Sequence, residues 1–282
     1  YDALKQDVLL QAKKTLIRMV YSRKMKEQLD QRLEDAQKRK QALEKKTEAG
    51  DANQLELNKA RFHLLRIRRK VRSEQLKRLQ LQEQLKKLNG GNKLQGTYEH
   101  YPVFQKIHKD RLLEEKITNL PSVQLAAKMR EQSETLVKLQ RSFNNPEFNI
   151  GYGSETVGNS SFRGFLAGVS IPLWSNKNKV KAAKANARYK DLNYQESMLS
   201  IRSETEEQYS ACLSLKRSME EYKDILQQTN SIDLLKRSRE LGNLSIIEFF
   251  REIRYFYTLY DEYLALERDY QLARAELLKY QL

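Results

Sequence analysis

The stretch NNPEFNIGYGSETVGNSSFRGFLAGVSIPLW, residues 144–174, stands apart from a chain otherwise built largely of Lys, Arg, Glu, Gln and Leu. Half of the four prolines and half of the ten glycines fall inside it. Its apolar residues alternate. On a first arm Phe148, Ile150 and Tyr152 share one face while Asn149, Gly151 and Gly153 share the other. On a second, Phe165, Ala167, Val169, Ile171 and Leu173 oppose Gly164, Gly168 and Ser170. The pattern predicts two strands joined by a polar loop, Ser154 to Ser161. Each is roughly ten residues long, the length that crosses an outer membrane at a tilt. A two-stranded ribbon cannot stand alone in lipid, where its edge N–H and C=O groups have no partner. The island therefore reads as part of a barrel closed by other copies; the alternative is an amphipathic hairpin resting on a soluble helical domain.

The rest of the chain is helical in pattern. Hydrophobic content is 39%, charged content 32% and mean hydropathy −0.78 over 282 residues, too little apolar matter for one compact core. The apolar residues must instead be spread along a few long helices that bury narrow stripes. Ala3 to Lys46 is one such helix, with Leu4, Val8, Leu9, Ala12, Leu16, Met19 and Val20 at helical spacing up to the breaker at Ala49-Gly50-Asp51. A second runs from Gln54 to Leu88 on Leu57, Ala60, Leu64, Ile67, Val71, Leu79 and Leu85, and stops at Asn89-Gly90-Gly91. Between Asn92 and Leu120, with Tyr98, Tyr101, Phe104 and Ile107, the pattern predicts irregular chain and a short helix from Gln105 to Lys116. Pro121 opens a helix to Phe143. After the island, Asn178 to about Gln228 lacks Gly and Pro, a further break lies at Glu240–Asn243, and a last helix runs from Ile246 to Leu282. Its stripe of Phe249, Phe250, Tyr255, Phe256, Tyr257, Tyr260 and Tyr263 reads as core.

The two halves match. A shift of 192 places Gly50 on Gly242, Glu56 on Glu248, Leu85 on Leu277 and Lys87 on Lys279, and a shift of 188 places Tyr21-Ser22 on Tyr209-Ser210. The difference is about one helical turn, which keeps the same face inward. The chain reads as a tandem duplication of a long helical hairpin. The duplication further predicts a twin of the island that ends about 14 residues before Tyr1.

These features together resemble the TolC-like outer membrane efflux proteins. NPEFNIGYG, and GVSIPLW leading into a long helix, are similar to a barrel hairpin of that family whose strand ends in Pro; GDANQLELNKARF and GNLSIIEFFREIR resemble its two helical tips. SIPLW and the Asn-Lys-rich turn after it resemble most the members that serve heavy-metal pumps of the RND type. The resemblance implies a mainly α fold of duplicated antiparallel hairpins that form a tunnel, with transmembrane strands completed by trimerisation. It divides the chain into a first hairpin (1–91), a connecting region (92–143), an outer-membrane hairpin (144–174) and a second hairpin (175–282). It implies a homotrimeric exit duct, not an enzyme, that carries solutes or metal ions from an inner-membrane transporter across periplasm and outer membrane of a Gram-negative bacterium. A periplasmic adaptor would grip the tips at Gly50, Asp51, Gly242 and Asn243, and Phe148, Ile150, Tyr152, Phe165, Val169 and Ile171 would face lipid. Glu56 and Glu248 fall where the family places acidic residues at a periplasmic gate, the other reading being a helix-start carboxylate held by the macrodipole. Two departures stand: Leu244 replaces an arginine clasp found in some members, and Arg251 sits where a second acidic ring would fall.

The net charge of +15 and the run Arg66-Ile67-Arg68-Arg69-Lys70-Val71-Arg72 fit a rival reading, a basic coiled coil that binds nucleic acid. Such a rod has no use for two lipid-length alternating strands, so the expectation is no nucleic-acid partner. The lone Cys212 cannot form an internal disulfide. His63, His100 and His108 lack ligand spacing and read as surface residues, with no metal and no cofactor expected. No nucleophile and base pair is indicated, and Gly151-Tyr152-Gly153 and Gly90-Gly91 lack the strand and helix start of a phosphate loop.

Overall fold

A computed structural model of the chain describes residues 2–93, 99–104, 107–158, 160–172, 177–228 and 231–282. Its elements are α1 (Asp2–Glu48), α2 (Gln54–Leu88), α3 (Lys109–Asn119), α4 (Pro121–Ser142), β1 (Glu147–Val157), β2 (Ser160–Ser170), α5 (Lys177–Gln228), α6 (Ser231–Glu240) and α7 (Ile246–Leu277), closed by a 3-10 turn at Lys279–Gln281. They sort into two compact units, Tyr1–Lys109 with Thr205–Leu282, and Asp110–Glu204.

In the first unit α1 and α2 form an antiparallel hairpin. Leu29, Ala36, Leu64, Ile67 and Val71 pack together, and Leu43 meets Leu57 and Ala60 nearer the turn. On α2 the sequence stripe holds except at Leu79, which is exposed. On α1 the stripe shifts: Leu4, Val8 and Leu9 are exposed, while Leu10, Ile17 and Val20 are buried with Gln6, Thr15 and Ser22. The first turns of α1 carry apolar residues around most of their circumference, so the pattern could not choose a face. The packing partner did: Leu10 and Ile17 are buried against Ala275 of α7, with Tyr101 and Phe104 of the connecting segment laid over them.

α7 runs antiparallel to α1, and paired side chains mark its register from end to end. Asp7 meets Lys279 at 2.5 Å, Lys14 meets Glu276, Lys24 meets Glu267 at 2.7 Å, and Arg39 lies over Phe249 at 4.2 Å. The pair at the middle is the most enclosed. Arg32, 4% exposed, donates from Nη1 to Asp261 Oδ1 at 2.7 Å and stacks at 4.2 Å on Tyr257, while Lys70 of α2 reaches the other oxygen of Asp261 at 3.2 Å. Three helices thus share one carboxylate. The aromatic stripe of α7 packs in this region as expected for Phe249, Phe250, Phe256, Tyr257, Tyr260 and Tyr263; Tyr255, on the opposite side of the helix, is exposed.

In the second unit Arg130 holds α4 to the first half of α5 through Asp191 at 2.9 Å and the ring of Tyr194. β1 and β2 pair antiparallel with Phe148 opposite Val169, Ile150 opposite Ala167 and Tyr152 opposite Phe165. Pairing continues to Val157 and Ser160, so the expected loop over Ser154–Ser161 shrinks to two residues, with Gly158 at φ +62°. A two-residue turn with positive φ matches strand twist and lets the polar ends stay in the ladder. Ile171 lies just beyond β2, not within it. Leu173, Trp174, Tyr98 and the start expected for the short helix at Gln105 lie outside the described residues; that helix is α3, begun at Lys109.

Removal of the shared carboxylate leaves the Arg32 charge buried without a counter-ion. Asp261→Ala is expected to destabilise the folded chain by roughly 3 kcal/mol, read as a lowered denaturant midpoint, whereas Glu27→Ala, at an exposed pair with Arg23, is expected to change it by under about 1 kcal/mol.

Candidate functional site

The tips are built twice on one plan. At the first, Ala49 N donates to Lys45 O, Gly50 N to Thr47 O and Asp51 N to Lys46 O, with Gly50 at φ +82°. At the second, Leu241 N donates to Arg237 O, Gly242 N to Arg239 O and Asn243 N to Ser238 O, with Gly242 at φ +80°. The three bonds correspond one to one at the same 192-residue shift. Each is the Schellman end of a helix, which needs a left-handed residue that glycine supplies without a Cβ clash. The duplication read in the sequence is therefore present in the hydrogen bonds.

The restart is also matched. Asn53 caps α2 by accepting from Glu56 N at 3.1 Å, and Ser245 caps α7 by accepting from Glu248 N at 3.2 Å. Glu56 and Glu248 thus occupy the same position, the third of their helices. They differ in what the carboxylate does: Glu248 accepts from Ser245 N at 2.9 Å and completes a capping box, which holds its pKa below the usual carboxylate value. Arg251, one turn on, is paired at 3.0 Å with its neighbour Glu252. The carbonyl of Leu244, in the place of the arginine clasp, accepts from Arg239 Nη1 at 3.1 Å.

Behind the tips, sequence reasoning missed a residue. His63, read as a surface residue, is half-buried and lies against Phe250 with ring centroids 4.9 Å apart. Burial, then the charges of Arg39 and Arg66, push its pKa down from 6.5 to about 4. His100 and His108 are exposed. Among the described residues no cluster of His, Cys, Asp and Glu could hold a metal ion.

At the hairpin the paired strands present one apolar face. Ile150 is 86% exposed and Phe165 87%, beside exposed Phe148, Tyr152 and Val169. The Tyr152 and Phe165 rings touch across the strands at 5.3 Å. The opposite face carries Asn149, Gly151, Gly153, Gly164 and Gly168, with Leu166 as its apolar exception. No helix among the described residues is long and apolar enough to cross a membrane.

No family model and no curated protein sequence matches the chain. Solved structures do. A membrane protein from Pseudomonas aeruginosa superposes with a TM-score of 0.83 at 15% identity, over 99% of this chain and 69% of that one. The CmeC outer membrane channel of Campylobacter jejuni gives 0.76 at 16%, over 99% and 63%, and CusC, studied for transmembrane channel formation, 0.78 at 17%, over 99% and 68%. The chain has the TolC-like fold. It spans about two thirds of the length of these structures. The matched tips and the exposed apolar hairpin are the two features that stand out within this fold.

Two outcomes test the tip geometry. Gly50→Ala and Gly242→Ala, which meet no neighbouring atom but keep positive φ, should each cost about 1 kcal/mol; a control, Gly151→Ala in the strand, should leave the helical unit unchanged. His63 has a folded pKa below its ordinary value, so its contribution is complete above pH 6.5 and is lost as pH falls toward 4. The unfolding midpoint should drop across that window, and His63→Phe should remove this share of the drop.

Proposed function

We propose that the chain forms, with other copies of itself, the outer membrane exit duct of a tripartite efflux system. The observation that carries this reading is the apolar face of the β1–β2 hairpin. Strands of 11 residues reach across the hydrocarbon layer at the tilt of a barrel. Burial of Phe148, Ile150, Tyr152, Phe165 and Val169 in lipid removes a contiguous apolar surface from water. Among the described residues the sheet has two strands, so its outer edges must pair with further strands to survive in lipid.

Transport in such a duct needs no chemical step. Solutes would move passively down the tunnel once an inner-membrane transporter of the RND type had delivered them. A periplasmic adaptor would dock on the turns around Gly50, Asp51, Gly242 and Asn243, whose shared hydrogen-bond pattern makes a repeated platform. Glu56, Glu248 and Arg251 are the gate candidates. Glu248 and Arg251 are already engaged within the chain, so Glu56 is the carboxylate to which the gate role falls first. The rival, a nucleic-acid rod, leaves the apolar hairpin face without a purpose.

Single cysteines placed in a Cys212→Ser background test the hairpin. In membranes, Ile150→Cys and Phe165→Cys should react with a lipid-soluble maleimide and resist a water-soluble one, with the reverse at Asn149→Cys and Gly168→Cys. Equal labelling of all four by the water-soluble reagent would mean that the hairpin lies in water.

A further inference from the structure

We infer that the base of the β1–β2 hairpin holds the headgroup of an anionic phospholipid, in a cavity walled by three lysines of α5 and by apolar residues that follow β2. The inference rests on the reading that the apolar face of the hairpin meets lipid, and it names the lipid that would be selected there.

α5 begins differently from α1, α2 and α7. Those three helices each carry an acid in the first turn, Asp2, Glu56 and Glu248, where it suits the helix dipole. α5 has none there. Its first acid is Asp191, and Lys177, Lys179, Lys181, Lys184, Arg188 and Lys190 all precede it. Asp191 is taken by Arg130 at 2.9 Å, and among the described residues none of the six cations has an ion pair. Like charges one turn apart repel, and cations at this end oppose the dipole, so the cluster does not serve the stability of α5.

Three of the cations line a cavity. Lys177, Lys181 and Lys184 lie at i, i+4 and i+7, on one face of α5. With Val180 they wall a space of about 570 Å³ that Ile171 and Pro172 also line. The lysines are exposed, while Val180 and Pro172 are half-buried. Charge and apolar surface are thus offered together, in a volume within the range of small-molecule sites. An inorganic phosphate would use the ammonium groups and leave Ile171, Pro172 and Val180 wet. A phospholipid uses both, since its phosphate accepts from the lysines and the start of its chains covers the apolar wall.

The place of the cavity agrees with this occupant. Pairing of the strands ends at Glu147 and Ser170, and Ile171 is the next residue. It has the parity of Phe165 and Val169, whose burial in lipid is proposed above. The membrane-crossing stretch therefore stops where the cavity begins, at the depth of the headgroups. A basic cluster at that depth draws lipids of net negative headgroup over zwitterionic ones.

The test uses the full chain in zwitterionic detergent, titrated with short-chain phosphatidylglycerol and with phosphatidylcholine of the same chain length, bound lipid being counted by native mass spectrometry. Phosphatidylglycerol should bind about tenfold more tightly at low salt, lose most of that margin at high salt, and resist displacement by inorganic phosphate. Lys177→Gln with Lys181→Gln and Lys184→Gln should abolish the preference. Lys5→Gln with Lys87→Gln and Lys223→Gln, which removes as much charge from exposed positions elsewhere, should keep it. The melting transition of each variant checks that the helices stay folded. Absence of the preference, or its equal loss in both triple variants, overturns the site, and ready displacement by inorganic phosphate overturns the lipid as its occupant. Each of these results leaves the hairpin reading in place if Ile150→Cys and Phe165→Cys stay shielded in membranes. Labelling of those cysteines from water overturns both.

Discussion

The carboxylate of Asp261 is the point on which the helical unit depends. It answers Arg32 from α1 and Lys70 from α2 while belonging to α7, so it joins the first hairpin to the second. Arg32 is buried, and its Nε and Nη2 find no acceptor among the described residues, where one carboxylate and the Tyr257 ring offset its desolvation. A slip of one helical turn would separate the charges by about 5 Å and strand a guanidinium in an apolar groove, at a cost of several kcal/mol. Narrow apolar stripes alone tolerate such slips, because leucines at successive turns are interchangeable. The ion pair is what sets the register.

Register in turn levels the tips. With Arg32 against Asp261, the turns at Gly50 and Gly242 stand side by side, and the helices that restart after them begin at the same height with the same third residue, Glu56 and Glu248. A partner meeting this end of the molecule encounters one motif repeated, not two unrelated loops. Cations of α1 are divided between acids of their own helix, as at Lys26–Asp30 and Lys40–Glu44, and acids of α7, as at Lys24–Glu267 and Arg32–Asp261.

Much of this was legible in the sequence, and the exceptions have physical causes. The glycine tips were readable because a left-handed helix end admits few residues, and the duplication because both tips share it. The strand island was readable because its period of two is unlike anything around it. The loop at its turn was misjudged because polar residues were taken to end a strand, whereas Gly158 allows backbone pairing to run to the turn whatever the side chains are. The face of α1 was misjudged because apolar residues surround its first turns. Leu79 has a spacing close to that of the buried residues of α2, yet it stands 60% exposed. His63 gave no signal: its burial depends on Phe250, 187 residues away in the chain, and Arg32 gave none because nothing in a run of charged residues marks the one that will be enclosed.

The account holds that copies of this chain enclose a water-filled path through a membrane. Reconstitution of the purified protein into a planar lipid bilayer measures that directly. The account predicts stable, stepwise single-channel conductance from oligomers, absent when the apolar strand face is charged by Ile150→Glu with Phe165→Glu. Protein that stays in the aqueous phase and never conducts, with the native hairpin intact, would contradict it.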